Sequence, residues 1–197
     1  MLMTLPSIAQ ANLLSNPGFE YASDGSTDPG PDVLDWTRWG DGAREDWAAK
    51  TGTYGVAFYG WQTASGAGFY QDVAGTAGTQ YTFSMWATKE AGYVSDDVIL
   101  RLEWFEADGT TSTGTGDEVN IVSTLTTDWL QYSVSGTAPA GTTIIRAVFA
   151  GSNFTGTEDP RGMKFDDADV SAVPEPATLL LLSGGLIGLF SVVRKKK

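Results

Sequence analysis

The sequence predicts an all-β sandwich, and three observations carry that expectation. Turn signals recur along the chain: Asn16-Pro17-Gly18, Asp28-Pro29-Gly30, Ala107-Asp108-Gly109 and Ala138-Pro139-Ala140-Gly141. Between them, apolar and polar residues alternate with period two, the signature of a strand with one face on a core. The body of the chain contains no long amphipathic helical pattern, and short strands separated by turns argue for two packed sheets.

The elements follow in order. Asn16-Pro17-Gly18 reads as a turn entering the first strand, with Phe19 and Trp36 as core aromatics. "QYTFSMWAT" places Tyr81, Phe83, Met85 and Ala87 on one face and Thr82, Ser84, Trp86 and Thr88 on the other. "DVILRLEWFEADG" groups Val98, Leu100, Leu102 and Trp104 opposite Ile99, Arg101, Glu103 and Phe105, then turns at Asp108-Gly109. "WLQYSVSGTA" groups Leu130, Tyr132 and Val134. "TTIIRAVFAG" is a further strand, and "GMKFDDADVSA" is the last. In that last strand, alternation puts Asp166 on one face with Ala168 and Val170. An inward carboxylate needs a partner, because burying it unpaired is expensive.

Composition narrows the chemistry. The 197 residues carry a net charge of −12, but all the excess lies in the body. Four of the 12 basic residues are the last four, whereas Glu175 is the single acidic residue beyond Val173, so residues 1–173 carry a net −15. Such a body repels nucleic acid and anionic headgroups and suits an extracytoplasmic, soluble or calcium-rich setting. The chain has no Cys and no His. That excludes disulfides, thiolate sites, Cys or Ser-His-Asp catalysis and imidazole-ligated metals. Carboxylates are plentiful, so chance pairs resembling a glycosidase dyad are expected; no catalytic motif stands out, and the reading is a non-enzyme.

The end of the chain is "VPEPATLLLLSGGLIGLFSVVRKKK". Ala177 to Val193 is uncharged; as a helix it would span about 26 Å, the short limit for a membrane span. The basic end Arg194, Lys195, Lys196 and Lys197 would stay cytoplasmic, and Pro174 and Pro176 start the span abruptly. The interior Ser183-Gly184-Gly185 weakens it as a permanent span. Val173, Pro174, Glu175 and Pro176, the apolar segment and the basic end together resemble the PEP-CTERM sorting signal of exported proteins from Gram-negative producers of exopolysaccharide. The resemblance implies recognition of Pro174-Glu175-Pro176 by an exosortase-type membrane transpeptidase and removal of the tail. It also implies transient residence in the inner membrane, followed by transfer to the cell surface or extracellular matrix. At the other end, Ala9-Gln10-Ala11 resembles a signal-peptide cleavage site behind a short apolar stretch. Residues 1–11 therefore read as the last part of a signal peptide, residues 12–172 as the folded domain, and residues 173–197 as the sorting signal with a helical span over 177–193.

The order "NLLSNPGFE", "LDWTRWG", "KTGTYGVAF", "FYQDVAGTAGTQYTFSMWAT", "TTDWLQYSVSGTAPAGTTIIRAVF", "KFDDADVS" resembles carbohydrate-binding modules of the galactose-binding-like type. That resemblance implies a two-sheet antiparallel jelly roll and a structural Ca²⁺ between the first and last strands, held by Glu20 with Asp166 or Asp167 and by carbonyls near Thr51 to Thr53. It also implies a sugar ligand. Sugar rings stack on aromatic faces, and the chain has seven Trp and seven Tyr. Trp39, Trp61 and Tyr93 lie in Gly-rich or polar surroundings. Trp86 lies on the polar face of its strand, near Arg101 and Glu103 if those strands pair. The functional expectation is an exported, non-catalytic protein that binds extracellular polysaccharide. The alternatives are a structural surface protein that binds other proteins and a small glycan-acting enzyme.

Overall fold

The computed structural model describes residues 11–59, 66–154 and 162–173. Ten strands follow one another: β1 (Thr37–Gly40), β2 (Gly42–Glu45), β3 (Gly55–Tyr59), β4 (Gly66–Ala74), β5 (Gln80–Lys89), β6 (Asp97–Phe105), β7 (Asp117–Asn120), β8 (Leu130–Thr137), β9 (Ile144–Ser152) and β10 (Gly162–Ala172). One sheet has the order β1-β4-β9-β6-β7 and the other β2-β3-β10-β5-β8. All pairings are antiparallel. The only helical turn among the described residues is the 3₁₀ turn Asp46–Ala48.

The alternation read from the sequence is the alternation seen. Tyr81, Phe83, Met85 and Ala87 are buried, as are Val98, Leu100, Leu102 and Trp104. They face each other across the interior because β5 and β6 lie in different sheets. Phe58, Phe69, Phe149 and Phe165 form the aromatic centre, with Phe58 to Phe149 at 5.8 Å, Phe69 to Phe149 at 5.5 Å and Phe149 to Phe165 at 4.9 Å. Phe19 and Trp36 join it, 5.1 Å apart. With no disulfide available, burial of this apolar area is the main stabilising term. Along β8 the sequence-derived face grades outward: Val134 is buried, Tyr132 packs partly against the core and Leu130 is exposed.

Two expectations are corrected. Residues near Phe19 do not form the first strand. Instead, residues 12–20 run as irregular backbone tied to β10, with Leu13 N donating to Val170 O (2.8 Å) and Ala168 N to Pro17 O (2.9 Å). Phe19 has φ of +58°, outside the extended region. The second correction concerns β10. Asp166 pairs with Trp86 but Asp169 pairs with Ser84, so one extra residue is accommodated between them. Asp167, with φ of +50°, is the residue of this bulge in the left-handed region. Phe165, Ala168 and Val170 therefore face inward, while Asp166 shares the outer face of its sheet with Trp86. Asp166 does not share the face of Ala168 and Val170.

Residues 174–197, with the expected helical span 177–193, Ala9 and Trp61 lie outside the described residues; Ala11 and Val173 are exposed. Among the described residues no helix is long and apolar enough to cross a membrane.

Candidate functional site

Two places bring sequence-predicted site residues together. The first lies where the chain's opening meets β10. Asp166 is fully buried although it is on an outer face, because residues 50–53 cover it. Its Oδ2 accepts the backbone N–H groups of Lys50 (2.7 Å) and Thr51 (2.9 Å), and its Oδ1 accepts that of Asp167 (2.7 Å). Burial pushes its carboxyl up to about 6, against the opposing pull of these N–H donors. Glu20 accepts from Thr53 N at 3.1 Å. Asp166 Oδ1 and Glu20 Oε1 both lie 3.8 Å from the point where a side chain on Gly18 would begin, so the two carboxylates approach one spot. Asp167 is engaged elsewhere: its Oδ2 pairs with Lys50 Nζ (3.1 Å) and its Oδ1 accepts from Thr51 Oγ1 (2.6 Å). Asp166, a buried carboxylate with no cation paired to it among the described residues, and Glu20, whose oxygens accept backbone N–H groups of Thr53 and Tyr54, supply oxygen ligands of the kind a hard cation such as Ca²⁺ takes. The fit needs backbone carbonyls as well, since no group of three or more Asp, Glu, His or Cys among the described residues is placed to hold a metal.

The second place is the outer face of the β1-β4-β9-β6-β7 sheet. Register aligns the residues that share it. Trp39 stands opposite Gly68, and the same row continues through Ala150, Ile99 and Asn120. The next row is Thr37, Tyr70, Val148, Arg101 and Glu118; the one after contains Asp72, Arg146 and Glu103. Trp39 lies flat over Gly68: a Cβ there would sit 2.2 Å from the indole Cη2 and Cζ2. Its ring is 6.3 Å from that of Tyr70, and Trp39 as a whole is 42% exposed. Ala150 and Val148 of β9 stand between this aromatic pair on β1–β4 and the charged groups on β6–β7. At about 4.8 Å per strand step, β1 and β6 stand roughly 14 Å apart. On the far side, cavities of about 570 Å³ and 210 Å³ adjoin, both lined by Arg101 and Glu118.

Ion pairs hold the charged groups in place. Arg101 donates from Nε to Glu118 (2.7 Å) and from Nη1 to Glu103 (3.1 Å). Arg146 grips Asp72 with two N–H groups (2.7 and 2.9 Å) and lies over Tyr70 (4.3 Å) and Phe105 (4.6 Å). Hydrogen bonding to Asp72 raises the Arg146 guanidinium above its usual value. A planar guanidinium gripped at its edge and stacked on both faces is a fixed wall rather than a mobile arm.

The structure thus joins Trp39, Arg101 and Glu103 on one face and separates the other candidates from them. Trp86 does not neighbour Arg101 and Glu103, because β5 and β6 pair in different sheets and these residues point away from opposite faces of the sandwich. One face of its ring is taken by Lys50 Nζ at 4.1 Å. Tyr93 is buried in the core, 6.0 Å from Phe154. Tyr70, Asp72, Glu118 and Arg146 were not singled out from the sequence. The alternation in "GFYQDVA" and "IIRAVF" held the signal, since Tyr70 and Arg146 occupy the parity opposite the buried Phe69 and Phe149.

The fold is a two-sheet antiparallel jelly roll, similar to that of solved carbohydrate-binding modules. TmCBM61, solved in complex with β-1,4-galactotriose, is similar at a TM-score of 0.58 and 20% identity, over 83% of this chain and 99% of that one. The structure described as Family 16 Carbohydrate Binding Module-2 is similar at 0.55 and 21%, over 81% and 99%. The enzymatically active domain of bacteriophage CBA120 tailspike protein 4 gives 0.62 at 12% identity over 82% of this chain, which spans 21% of that protein. At such identities the likeness is one of fold. No curated protein matches the chain. Residues 172–196 match the PEP-CTERM protein-sorting motif, which makes the chain one that carries this export and sorting signal behind a jelly-roll domain.

Proposed function

We propose that this chain is an exported, non-catalytic surface or matrix protein that binds extracellular polysaccharide on the outer face of the β1-β4-β9-β6-β7 sheet. The observation that carries the reading is the exposed Trp39, with half-buried Tyr70 at its side, facing a fixed polar wall. A sugar ring stacks on an aromatic face, and its hydroxyls exchange hydrogen bonds with carboxylates and guanidinium edges. A structure similar in fold, TmCBM61, is described in complex with a galactotriose. The arrangement also speaks for binding without turnover. Asp72, Glu103 and Glu118 each form an ion pair with an arginine of the same face, so these carboxylates serve to fix the wall rather than standing as a free pair across a glycosidic bond.

In this reading an exosortase-type transpeptidase acts at Pro174-Glu175-Pro176 while residues 177–193 hold the chain in the inner membrane, and the processed protein moves to the cell surface or matrix. Glu20 and Asp166, completed by carbonyls of residues 51–53, hold a structural Ca²⁺ that ties the opening segment to β10. Trp61 and Trp86 are further sugar contacts in this reading, and Tyr93 is a core residue.

Affinity electrophoresis of the full chain against the host's own polysaccharide tests the binding. Retardation of wild type, lost in Trp39→Ala at unchanged melting temperature, supports it. Capture of a specific surface protein with no retardation by any polysaccharide would support the structural alternative, and turnover of the polymer would support an enzyme. Intact-mass analysis of the surface-exposed protein tests the processing: Lys197 still attached would reject it.

A further inference from the structure

We propose that the ligand of this face is an uncharged polysaccharide, and that Glu103 and Glu118 reject polymers rich in uronate or sulfate. The inference rests on the polysaccharide reading above and specifies the class of polymer. Among the described residues, the side chains that share the outer face of this sheet include four carboxylates, Asp72, Asp97, Glu103 and Glu118, and two guanidiniums, Arg101 and Arg146. Neither guanidinium is free to receive an anion. Arg101 is shared between Glu103 and Glu118. Arg146 is held by both oxygens of Asp72, donates a third bond to Gly109 O (3.2 Å), and is covered on its two faces by Tyr70 and Phe105.

The other described cations lie elsewhere. Arg44 is buried against the carbonyls of Glu20, Ser26 and Asp28. Lys50 and Lys164 belong to the opposite sheet's surroundings, over Trp86 and Trp47. Lys89 ends β5, and Arg38 sits on β1 at the parity opposite Trp39. A carboxylate on the ligand would therefore meet net negative charge, with no free donor fork on this face among the described residues, and like charges across an interface are a strong source of discrimination. Hydroxyls fare differently: the carboxylate oxygens not used by arginine accept O–H donors, and charge-assisted bonds of this kind are strong. The absence of an anionic ligand also makes the binding insensitive to salt, since screening acts on charge pairs.

The test uses the full chain and the host's exopolysaccharide, separated by anion exchange into neutral and acidic fractions. Alongside run β-1,4-mannan and β-1,4-mannuronan oligosaccharides, which differ only at C6. The neutral fraction is expected to retard wild type, with affinity changing less than about twofold between low and high salt. Acidic fractions and mannuronan should bind at least about tenfold more weakly than their neutral counterparts. In Glu103→Gln/Glu118→Gln, Arg101 keeps its neighbours' hydrogen bonds but gains an uncompensated charge. That variant, checked for an unchanged melting temperature, should bind the acidic fraction at least about fivefold better than wild type, with salt dependence. Wild type preferring the acidic fraction, or binding that weakens steeply with salt, overturns the inference while leaving the polysaccharide reading intact. Failure of every fraction to bind rejects both.

Discussion

Gly68→Ala is the sharpest probe of the outer face, because it adds one methyl group at the seat of Trp39. The new Cβ would stand 2.2 Å from indole Cη2 and Cζ2 and 2.8 Å from Cε2. Carbon atoms rest comfortably at about 3.5–4.0 Å, so something must move by more than an ångström. Gly68 cannot yield: β4 is hydrogen-bonded on both sides, to β1 and β9. Trp39 can, because it sits on a four-residue edge strand that is exposed throughout. The backbone of Gly68 is not in the left-handed region, so alanine adds no strain of its own. The expected loss of stability is about 1 kcal/mol, a typical value for a substitution outside the core, or a few degrees in melting temperature for a domain of this size. The loss in binding is larger. One aromatic stack on a flat ligand is worth about 1–3 kcal/mol by alanine substitution, or about 5- to 150-fold in affinity. Trp39→Ala should cause the same loss, and Gly68→Ala on top of Trp39→Ala should cost little more, because both remove one contact. Affinity electrophoresis and melting curves on the three variants decide the matter. Gly68→Ala that binds as wild type, or a double variant whose losses add, would refute the role given to the Trp39 platform.

Three further outcomes are expected. In chelator, the Asp166 carboxyl, raised to about 6 in the folded state from its ordinary 3.8, binds its proton more tightly folded than unfolded. Stability should therefore fall as pH rises from about 4 to 6, and denaturant titrations of Asp166→Asn should lack that slope. Added Ca²⁺ at neutral pH should raise the melting temperature of wild type, by about 2.7 kcal/mol equivalent at a hundredfold excess over Kd, and Glu20→Ala should abolish the rise; identical melting with and without chelator would reject the metal. Phe149→Ala, which deletes a ring in contact with Phe19, Trp36, Phe58, Phe69 and Phe165, should cost about 3–5 kcal/mol in urea unfolding.

Local pattern was enough to define much of this protein. Alternation in "QYTFSMWAT" and "DVILRLEWF" named eight buried residues correctly, because side chains on a strand alternate whatever the strand pairs with. The sorting motif was readable in the same way, since it is a linear address. Sheet membership was not local. β5 and β6 are consecutive, yet they do not pair with each other: β5 lies between β10 and β8, β6 between β9 and β7, and only that topology sends Trp86 to one side of the sandwich and Arg101 and Glu103 to the other. The bulge at Asp167 was equally hidden: one extra residue inverts the parity of everything on one side of it, and nothing in "KFDDADV" marks where the inversion falls. Trp39 and Arg101 are 62 positions apart in the chain. The tertiary structure brings them onto one face because the pairing β1-β4-β9-β6 is set by burying both inner faces at once, a condition that no single segment expresses.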